Sequence, residues 1–220
     1  MGARRARLAI LISGRGSNLQ AFIDACTSEA LPATIVLVIS NNPDAEGLRR
    51  AAEAGIATAC IDHRAFPDRE SFDRALVAEL EAREADLVIL AGFMRILTSA
   101  FITPFAGRLL NIHPSLLPKY PGLHTHQRAL DAGDRASGAT VHYVTAELDG
   151  GPPIIQAREP IMPGDTAETL AARVVELEHT IYPLAARWHI QGRLQLTEQG
   201  VFLDDKPIPA TGIQYETGLR

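Results

Sequence analysis

Short apolar runs alternate along the chain with stretches whose apolar residues recur every three or four positions. Such apolar runs are typical of buried strands, and apolar residues at a spacing of three or four are typical of amphipathic helices. Strands are predicted at 8–12, Ala33–Ser40, 58–61 and 87–91, and at the start of the stretch 109–120. Helices are predicted at 19–25, 46–54, 68–83, 98–105 and about 165–187.

The second half of the chain has a less regular pattern. Residues 138–145 alternate like a half-buried strand, and 194–196 and 201–203 are predicted to form a closing hairpin. Asp165 followed by Glu168 has the pattern of a helix start, and Pro183 is expected to kink or break that helix.

This order of strands and helices predicts an α/β fold, an open and mostly parallel twisted sheet with helices on both faces. At 220 residues the chain is expected to form a single domain over 1–220, with a core at about 8–203 and a C-terminal arm after it. Ligands of such folds gather at the carboxyl ends of the strands.

The formal net charge of −5 argues against binding to nucleic acid. The first apolar run, 8–12, is too short for a membrane span. The two cysteines form no CxxC motif, which favours reduced thiols. The composition therefore predicts a cytoplasmic protein that contacts neither nucleic acid nor membrane.

A glycine-rich turn joins the first strand to the first helix. Residues 13–18 read Ser-Gly-Arg-Gly-Ser-Asn, which matches neither the full dinucleotide fingerprint nor a Walker A loop. Backbone N–H groups at such a helix start suit a phosphate, so a monophosphate is predicted. A plain turn capped by Ser17 or Asn18 is the alternative.

Polar side chains follow the strand at the start of 109–120. Asn111 and His113 occupy alternate positions of an extended backbone, so both point to the same side. Asp149 precedes Gly-Gly-Pro, a sequence that also favours a plain turn. An imidazole, an amide and a carboxylate together suit a reaction with a tetrahedral intermediate.

Several other residues allow two interpretations. Arg69 is a surface arginine or a ligand contact, and Glu178, on a core-facing stripe, binds a structural partner or a ligand. The apolar residues of 93–97 belong to the core or line a pocket. His113, His124 and His126 raise the possibility of zinc, but no carboxylate or cysteine lies at a supporting spacing.

Four motifs together resemble the folate-dependent formyltransferases. These are 12–20, 91–97, Asn-Ile-His-Pro-Ser-Leu-Leu-Pro at 111–118, and Asp-Gly-Gly-Pro at 149–152, and the similarity covers about 8–203. The Ser-Gly-x-Gly-Ser-Asn loop narrows the resemblance to the members that act on glycinamide ribonucleotide. The resemblance implies transfer of a formyl group from 10-formyltetrahydrofolate to the amine of that ribonucleotide, in purine biosynthesis and without a metal.

The resemblance also implies roles for individual residues. The catalytic residues would be Asn111, His113 and Asp149, and the ribonucleotide would bind to Gly16, Ser17, Asn18 and Glu178. Folate would bind to Arg69, Met94, Arg95, Ile96, Leu97, Asn111, Thr145, Ala146, Glu147, Leu148 and Asp149. His124, His126 and His142 lie near these motifs without an assigned role, and a homodimer is possible.

The residues offer no matched protein nucleophile, which favours direct attack of the amine on the formyl carbon. Asn111 and protonated His113 would stabilise the oxyanion, while Asp149 would orient His113 and help transfer the proton. The alternatives are formyltetrahydrofolate deformylase, for which an additional N-terminal domain would be expected, and a non-catalytic phosphate or nucleotide sensor. Methionyl-tRNA formyltransferase would require a second, basic domain.

Overall fold

The structure, a computed structural model, describes residues 4–216. The chain forms two compact units that divide between Leu110 and Asn111. Strand β5, Leu109–His113, contains this division. That residues 1–220 form a single domain stays a prediction.

The first unit is a parallel sheet whose strands are connected through helices. The sheet order is β4-β1-β2-β3, and Leu8 of β1 aligns with Leu87 of β4 and Ile35 of β2. Its strands are β1 (Ala6–Ile12), β2 (Ala33–Ser40), β3 (Thr58–Cys60) and β4 (Leu87–Leu90). Its helices are α1 (Ser17–Thr27), α2 (Glu46–Glu53), α3 (Arg69–Ala82) and α4 (Ser99–Ile102), with 3-10 turns at His63–Ala65 and Thr103–Phe105.

The second unit continues from β5 with α5 (Thr125–Asp131), β6 (Ala136–Tyr143), β7 (Pro153–Pro160) and α6 (Ala167–Ile190). Strands β8 (Leu194–Thr197), β9 (Gly200–Leu203), β10 (Lys206–Pro207) and β11 (Ile213–Gln214) follow. The order in this unit is β11-β7-β6-β5, with β6 antiparallel to β7 and β11 parallel to β7. Strands β10, β9 and β8 form a small antiparallel sheet.

The predicted α/β fold with a mostly parallel sheet is confirmed. Its apolar runs became strands because helices cover them: residues 8–12 have no exposed surface, and neither do 87–89. The hairpin predicted near the C-terminus is also present, as β8 and β9. No helix among residues 4–216 is both long and apolar enough to cross a membrane.

Two local predictions were wrong, and a third was wrong in part. Strand β6 is buried along nearly its whole length and not half-buried, because α6 packs on it. Thr166 and not Asp165 caps α6, in a capping box with Thr169. Helix α6 runs through Pro183 to Ile190, so the helix does not break there, and a kink at Pro183 stays a prediction. Burial of Ile181, Tyr182 and Trp188 around the proline offsets a cost of about 3 kcal/mol.

Candidate active site

Strand β5 ends in Asn111 and His113, which are separated by Ile112. Asn111 is half-buried and His113 is buried. Pro114 follows directly, and a residue before proline is held in extended backbone geometry. The strand end therefore presents an amide and an imidazole side by side, as the sequence predicted.

Both ring nitrogens of His113 contact acceptors. Nε2 lies 2.8 Å from the carbonyl oxygen of Tyr120, and Nδ1 lies 3.4 Å from Oδ2 of Asp149. A carbonyl can only accept a hydrogen bond, so Nε2 carries a proton and donates it. A carboxylate also accepts, so Nδ1 of His113 faces a second acceptor in Oδ2 of Asp149.

A tight turn brings Asp149 to His113. Asp149 has a left-handed backbone (φ 50°), and its Oδ2 accepts the backbone N–H of Gly122 at 2.8 Å. Gly151 packs so closely on the carbonyl of Tyr143 that a Cβ atom there would collide with it. The alternative of a plain turn is thus partly right, because Asp149 is a turn residue whose carboxylate also contacts the imidazole.

His142, which had no assigned role in the sequence analysis, lies between Asn111 and Asp149. Its Nδ1 lies 2.8 Å from the carbonyl oxygen of Tyr143, which requires the proton on Nδ1. Burial lowers the pKa of His142, so the ring is neutral and Nε2 is an acceptor. Nε2 lies 3.3 Å from Nδ2 of Asn111 and 3.9 Å from Oδ1 of Asp149, so it accepts an N–H of Asn111 and fixes that amide's orientation.

The segment after β5 is held by buried hydrogen bonds. Oγ1 of Thr140 donates to the carbonyl of Ser115 at 2.7 Å and accepts the N–H of Leu117 at 3.1 Å. Nε2 of Gln156 donates to the carbonyl of Leu117 at 2.7 Å. These bonds place the chain that leads to the Tyr120 carbonyl.

In the first unit, the glycine-rich loop 13–16 leads into α1, which begins at Ser17. Gly16 precedes the helix in a left-handed conformation (φ 75°) and makes no side-chain cap. Ser17 and Asn18 lie inside the helix, so the alternative in which one of them is the cap was wrong. The first N–H groups of any helix lack an intrahelical partner, and here they follow a glycine that needs its freedom of φ.

The other predicted site residues differ widely in exposure. Leu97 is buried, whereas Met94 is 63% and Ile96 57% exposed, so the core interpretation holds only for Leu97. Leu148 is 54% exposed, next to the exposed Ala146 and Glu147 and the half-buried Thr145. In the first unit the N–H of Met94 donates to Oγ of Ser13 at 2.8 Å, which ties the segment 94–97 to the glycine-rich loop.

Three charged residues complete the predicted set. Arg69 is exposed at the start of α3, next to the capping residue Asp68, and Arg95 is half-buried. Glu178 is buried on α6, with 7% of its surface exposed, as its place on the core-facing stripe predicted. Within residues 4–216 no group of three or more His, Cys, Asp or Glu side chains could hold a metal ion.

A family model described as formyl transferase matches residues 6–186. The chain belongs to the formyl transferase family. The match contains Asn111, His113, His142 and Asp149, and it confirms the family that the sequence motifs predicted.

Two curated members of the family are similar to nearly the whole chain. A phosphoribosylglycinamide formyltransferase of Escherichia coli is 53% identical over 205 residues, which cover 93% of this chain and 97% of the relative. One of Haemophilus influenzae is 49% identical over 210 residues, with 96% and 99% covered. A solved phosphoribosylglycinamide formyltransferase from Coxiella burnetii has a TM-score of 0.92 and 48% identity, and the match covers 97% of this chain and 100% of that one.

Proposed function

We propose that this chain transfers the formyl group of 10-formyltetrahydrofolate to the amine of glycinamide ribonucleotide, a step of purine biosynthesis, without a metal. The family match and the near full-length similarity to phosphoribosylglycinamide formyltransferases support the activity. The observation that carries the chemistry is the buried pair of His113 and Asp149 beside the amide of Asn111.

In the proposed reaction the neutral amine attacks the formyl carbon, and a new C–N bond forms. The formyl oxygen becomes an oxyanion, which Asn111 and the protonated ring of His113 stabilise. Each donor to such an oxyanion is worth about 3–4 kcal/mol in other acyl-transfer sites. The bond from carbon to N10 then breaks, and the proton lost by the amine goes to N10 with help from Asp149.

Asp149 has a second task in this mechanism. Its carboxylate lies 3.4 Å from Nδ1 of His113, and this contact fixes the plane of the ring. The N–H on Nε2 of His113 then stabilises the oxyanion. In this step the oxyanion takes the place of the Tyr120 carbonyl as the acceptor of that N–H.

His142 makes Asn111 a directed donor. Since Nε2 of His142 accepts one N–H of the amide, the second N–H of Asn111 is left for the oxyanion. A reversed amide would place two acceptors, its own oxygen and Nε2, against each other.

The binding roles form the second part of the proposal. Gly16, Ser17 and Asn18 bind the phosphate of the ribonucleotide, and Glu178 contacts the same substrate. Arg69, Arg95 and the segments 94–97 and 145–149 bind folate. The exposed side chains of Met94, Ile96 and Leu148 support this role, since apolar groups on a protein surface are suited to a flat heterocycle. A homodimer and a cytoplasmic location stay predictions.

Folate absorbance tests the activity directly. Purified protein is incubated with 10-formyltetrahydrofolate and a metal chelator, with and without glycinamide ribonucleotide. Loss of the formyl group only with the ribonucleotide supports the proposal. Equal loss without the ribonucleotide would indicate a deformylase, and no loss in either reaction would contradict both enzymatic functions.

Asn18→Ala tests the binding assignment separately. We expect weaker binding of the ribonucleotide with little change in the affinity for folate, measured by calorimetric titration of each substrate. Unchanged ribonucleotide affinity would remove the Asn18 side chain from the phosphate site.

A further inference from the structure

We infer that helix α2, through Gly47 and Arg50, positions the phosphate-binding loop 13–16 and thereby sets the affinity for the ribonucleotide's phosphate. The inference rests on the proposed function, in which the phosphate binds to Gly16, the last residue of this loop, and to Ser17 and Asn18, which follow it in α1. It adds two positioning residues that no sequence motif pointed to, since both follow the loop by about thirty positions.

The first observation is a close approach of two glycines. The N–H of Gly47 donates to the carbonyl of Gly14 at 3.0 Å. A Cβ atom on Gly47 would lie 2.5 Å from Cδ1 of Ile12 and 3.3 Å from Cα of Gly16. A Cβ atom on Gly16 would lie 2.9 Å from Cα of Gly47, so helix and loop are packed backbone against backbone.

The second observation is that each carbonyl of the loop has a donor. The four bonds are Asn42 Nδ2 to Ser13 at 3.4 Å, Gly47 N to Gly14 at 3.0 Å, Arg50 Nε to Arg15 at 2.9 Å and Gln20 N to Gly16 at 3.0 Å. In a trans peptide the C=O and the next N–H point in opposite directions. Because each carbonyl points at its donor, the N–H groups of residues 14–17 point away from those donors. An anion-binding loop requires such N–H groups.

Helix α2 supplies two of the four anchors, and they are adjacent. Gly47 and Arg50 lie on the same side of the helix, three residues apart, and hold consecutive carbonyls, those of Gly14 and Arg15. Moving α2 would rotate two peptide planes at once, and with them the N–H groups of Arg15 and Gly16.

Arg50 is better suited to hold the loop than to bind the phosphate itself. Its Nη2 lies 2.7 Å from Oε1 of Glu46, one turn earlier on the same helix, while Nε donates to Arg15. Glu46 balances the charge of the guanidinium, so the geometry of Arg50 matters more than its charge. Arg49, the residue before it, pairs with Glu53 at 2.7 Å and lies 3.6 Å from Oε1 of Glu46. Arg49 therefore shares the carboxylate contact of Arg50 but does not hold the Arg15 carbonyl, and it serves as the control.

The experiment compares Gly47→Ala with Ala51→Gly. Both exchange glycine and alanine at buried positions of α2, but only the first adds a Cβ atom against the loop. We expect Gly47→Ala to raise the KM for glycinamide ribonucleotide, and the Ki of ribose 5-phosphate as a competitive inhibitor, about tenfold or more. The kcat and the KM for 10-formyltetrahydrofolate should stay within about twofold of the wild-type values. The lost contacts bind the phosphate equally in the ground state and the transition state, so their loss changes binding and not the chemical step.

Arg50→Ala and Arg49→Ala provide a second pair, which does not depend on Gly47→Ala folding. Loss of one charged hydrogen bond to the loop should raise the same two constants about fivefold in Arg50→Ala. Arg49→Ala should leave both unchanged. A merely structural role of α2 would lower the melting temperature in both pairs without this selective change.

Equal constants in Arg50→Ala and Arg49→Ala would overturn the inference, as would equal effects of Gly47→Ala and Ala51→Gly. Calorimetric titration with ribose 5-phosphate separates this outcome from failure of the proposed function. If the wild-type protein binds ribose 5-phosphate but transfers no formyl group, the proposed reaction fails while the variants still test the loop. If the wild-type protein does not bind ribose 5-phosphate, the inference fails even where turnover is present.

Discussion

The two candidate regions, one in each compact unit, are built from different chemical groups. In the second unit Asn111, His113 and Asp149 offer side chains, and each side chain is held by further contacts. In the first unit the loop 13–16 offers peptide groups, and its side chains matter less than the absence of Cβ atoms. Side-chain sites are therefore sensitive to removal of a group, and backbone sites to addition of one.

Replacing Asp149 with Asn is the most severe test of the side-chain region, the cluster of Asn111, His113 and Asp149. The change keeps the shape but removes the charge that pairs with His113. We expect kcat to fall about a thousandfold to ten-thousandfold, as when a carboxylate that orients a catalytic imidazole is replaced by an amide. Steady-state kinetics, with the exposed Asp205→Asn as the control, would measure it, and comparable turnover in the two variants would remove Asp149 from the mechanism.

Two substitutions of His142 test whether it orients Asn111. A Gln side chain reaches the position of Nε2 and can accept the Asn111 N–H, whereas an Asn side chain reaches only the position of Nδ1. A buried N–H without an acceptor costs about 1–3 kcal/mol. We therefore expect His142→Asn to lower kcat about 5- to 100-fold and His142→Gln to lower it clearly less. If both variants lose the same activity, the contact with Asn111 does not matter for turnover.

The sequence predicted β1, β2 and β4 of the first unit well, because each is largely a continuous, buried apolar run, and it also found the short and mostly exposed β3. It missed β7, where Ile154 and Ile155 stand between prolines and charged residues, and α5, whose sequence Thr-His-Gln-Arg-Ala-Leu-Asp shows little apolar periodicity. These elements form because β6 and α6 pack against them, and such partners are not visible in a local pattern.

The candidate site shows the same limit. The sequence motifs singled out Asn111, His113 and Asp149, and the structure places them in one cluster. The carbonyl of Tyr120 and the N–H of Gly122 could not be predicted, since every residue has these groups and only the fold decides which ones face the site. His142 had a usable signal, an imidazole near the end of the buried strand β6, but its partner Asn111 lies on another strand.

Gly151→Ala asks whether the side-chain region also depends on a missing Cβ atom. The new methyl group would collide with the carbonyl of Tyr143, the acceptor of the His142 N–H. We expect the free energy of unfolding to fall by about 1–3 kcal/mol, as in other overpacked sites. Melting temperature reports this loss, at about 2–4 °C per kcal/mol for a chain of this size. An unchanged melting temperature would contradict the close contact of Gly151 with Tyr143.

The smallest effect concerns pH. In residues 4–216, the imidazoles whose pKa is lowered by burial are His126, His142 and His189, all in the second unit. In the unfolded chain they take up protons near pH 6.5, but in the folded chain only at lower pH. Their contribution to stability is therefore complete above about pH 6.5 and is lost as the pH falls below it.

Urea unfolding at several pH values from 7.5 to 5 measures this dependence. One such histidine changes the free energy of unfolding by at most about 1.4 kcal/mol per pH unit. His189→Gln should therefore reduce the slope by less than that amount. Equal slopes in wild type and His189→Gln would show that burial of His189 does not contribute to the acid sensitivity of the second unit.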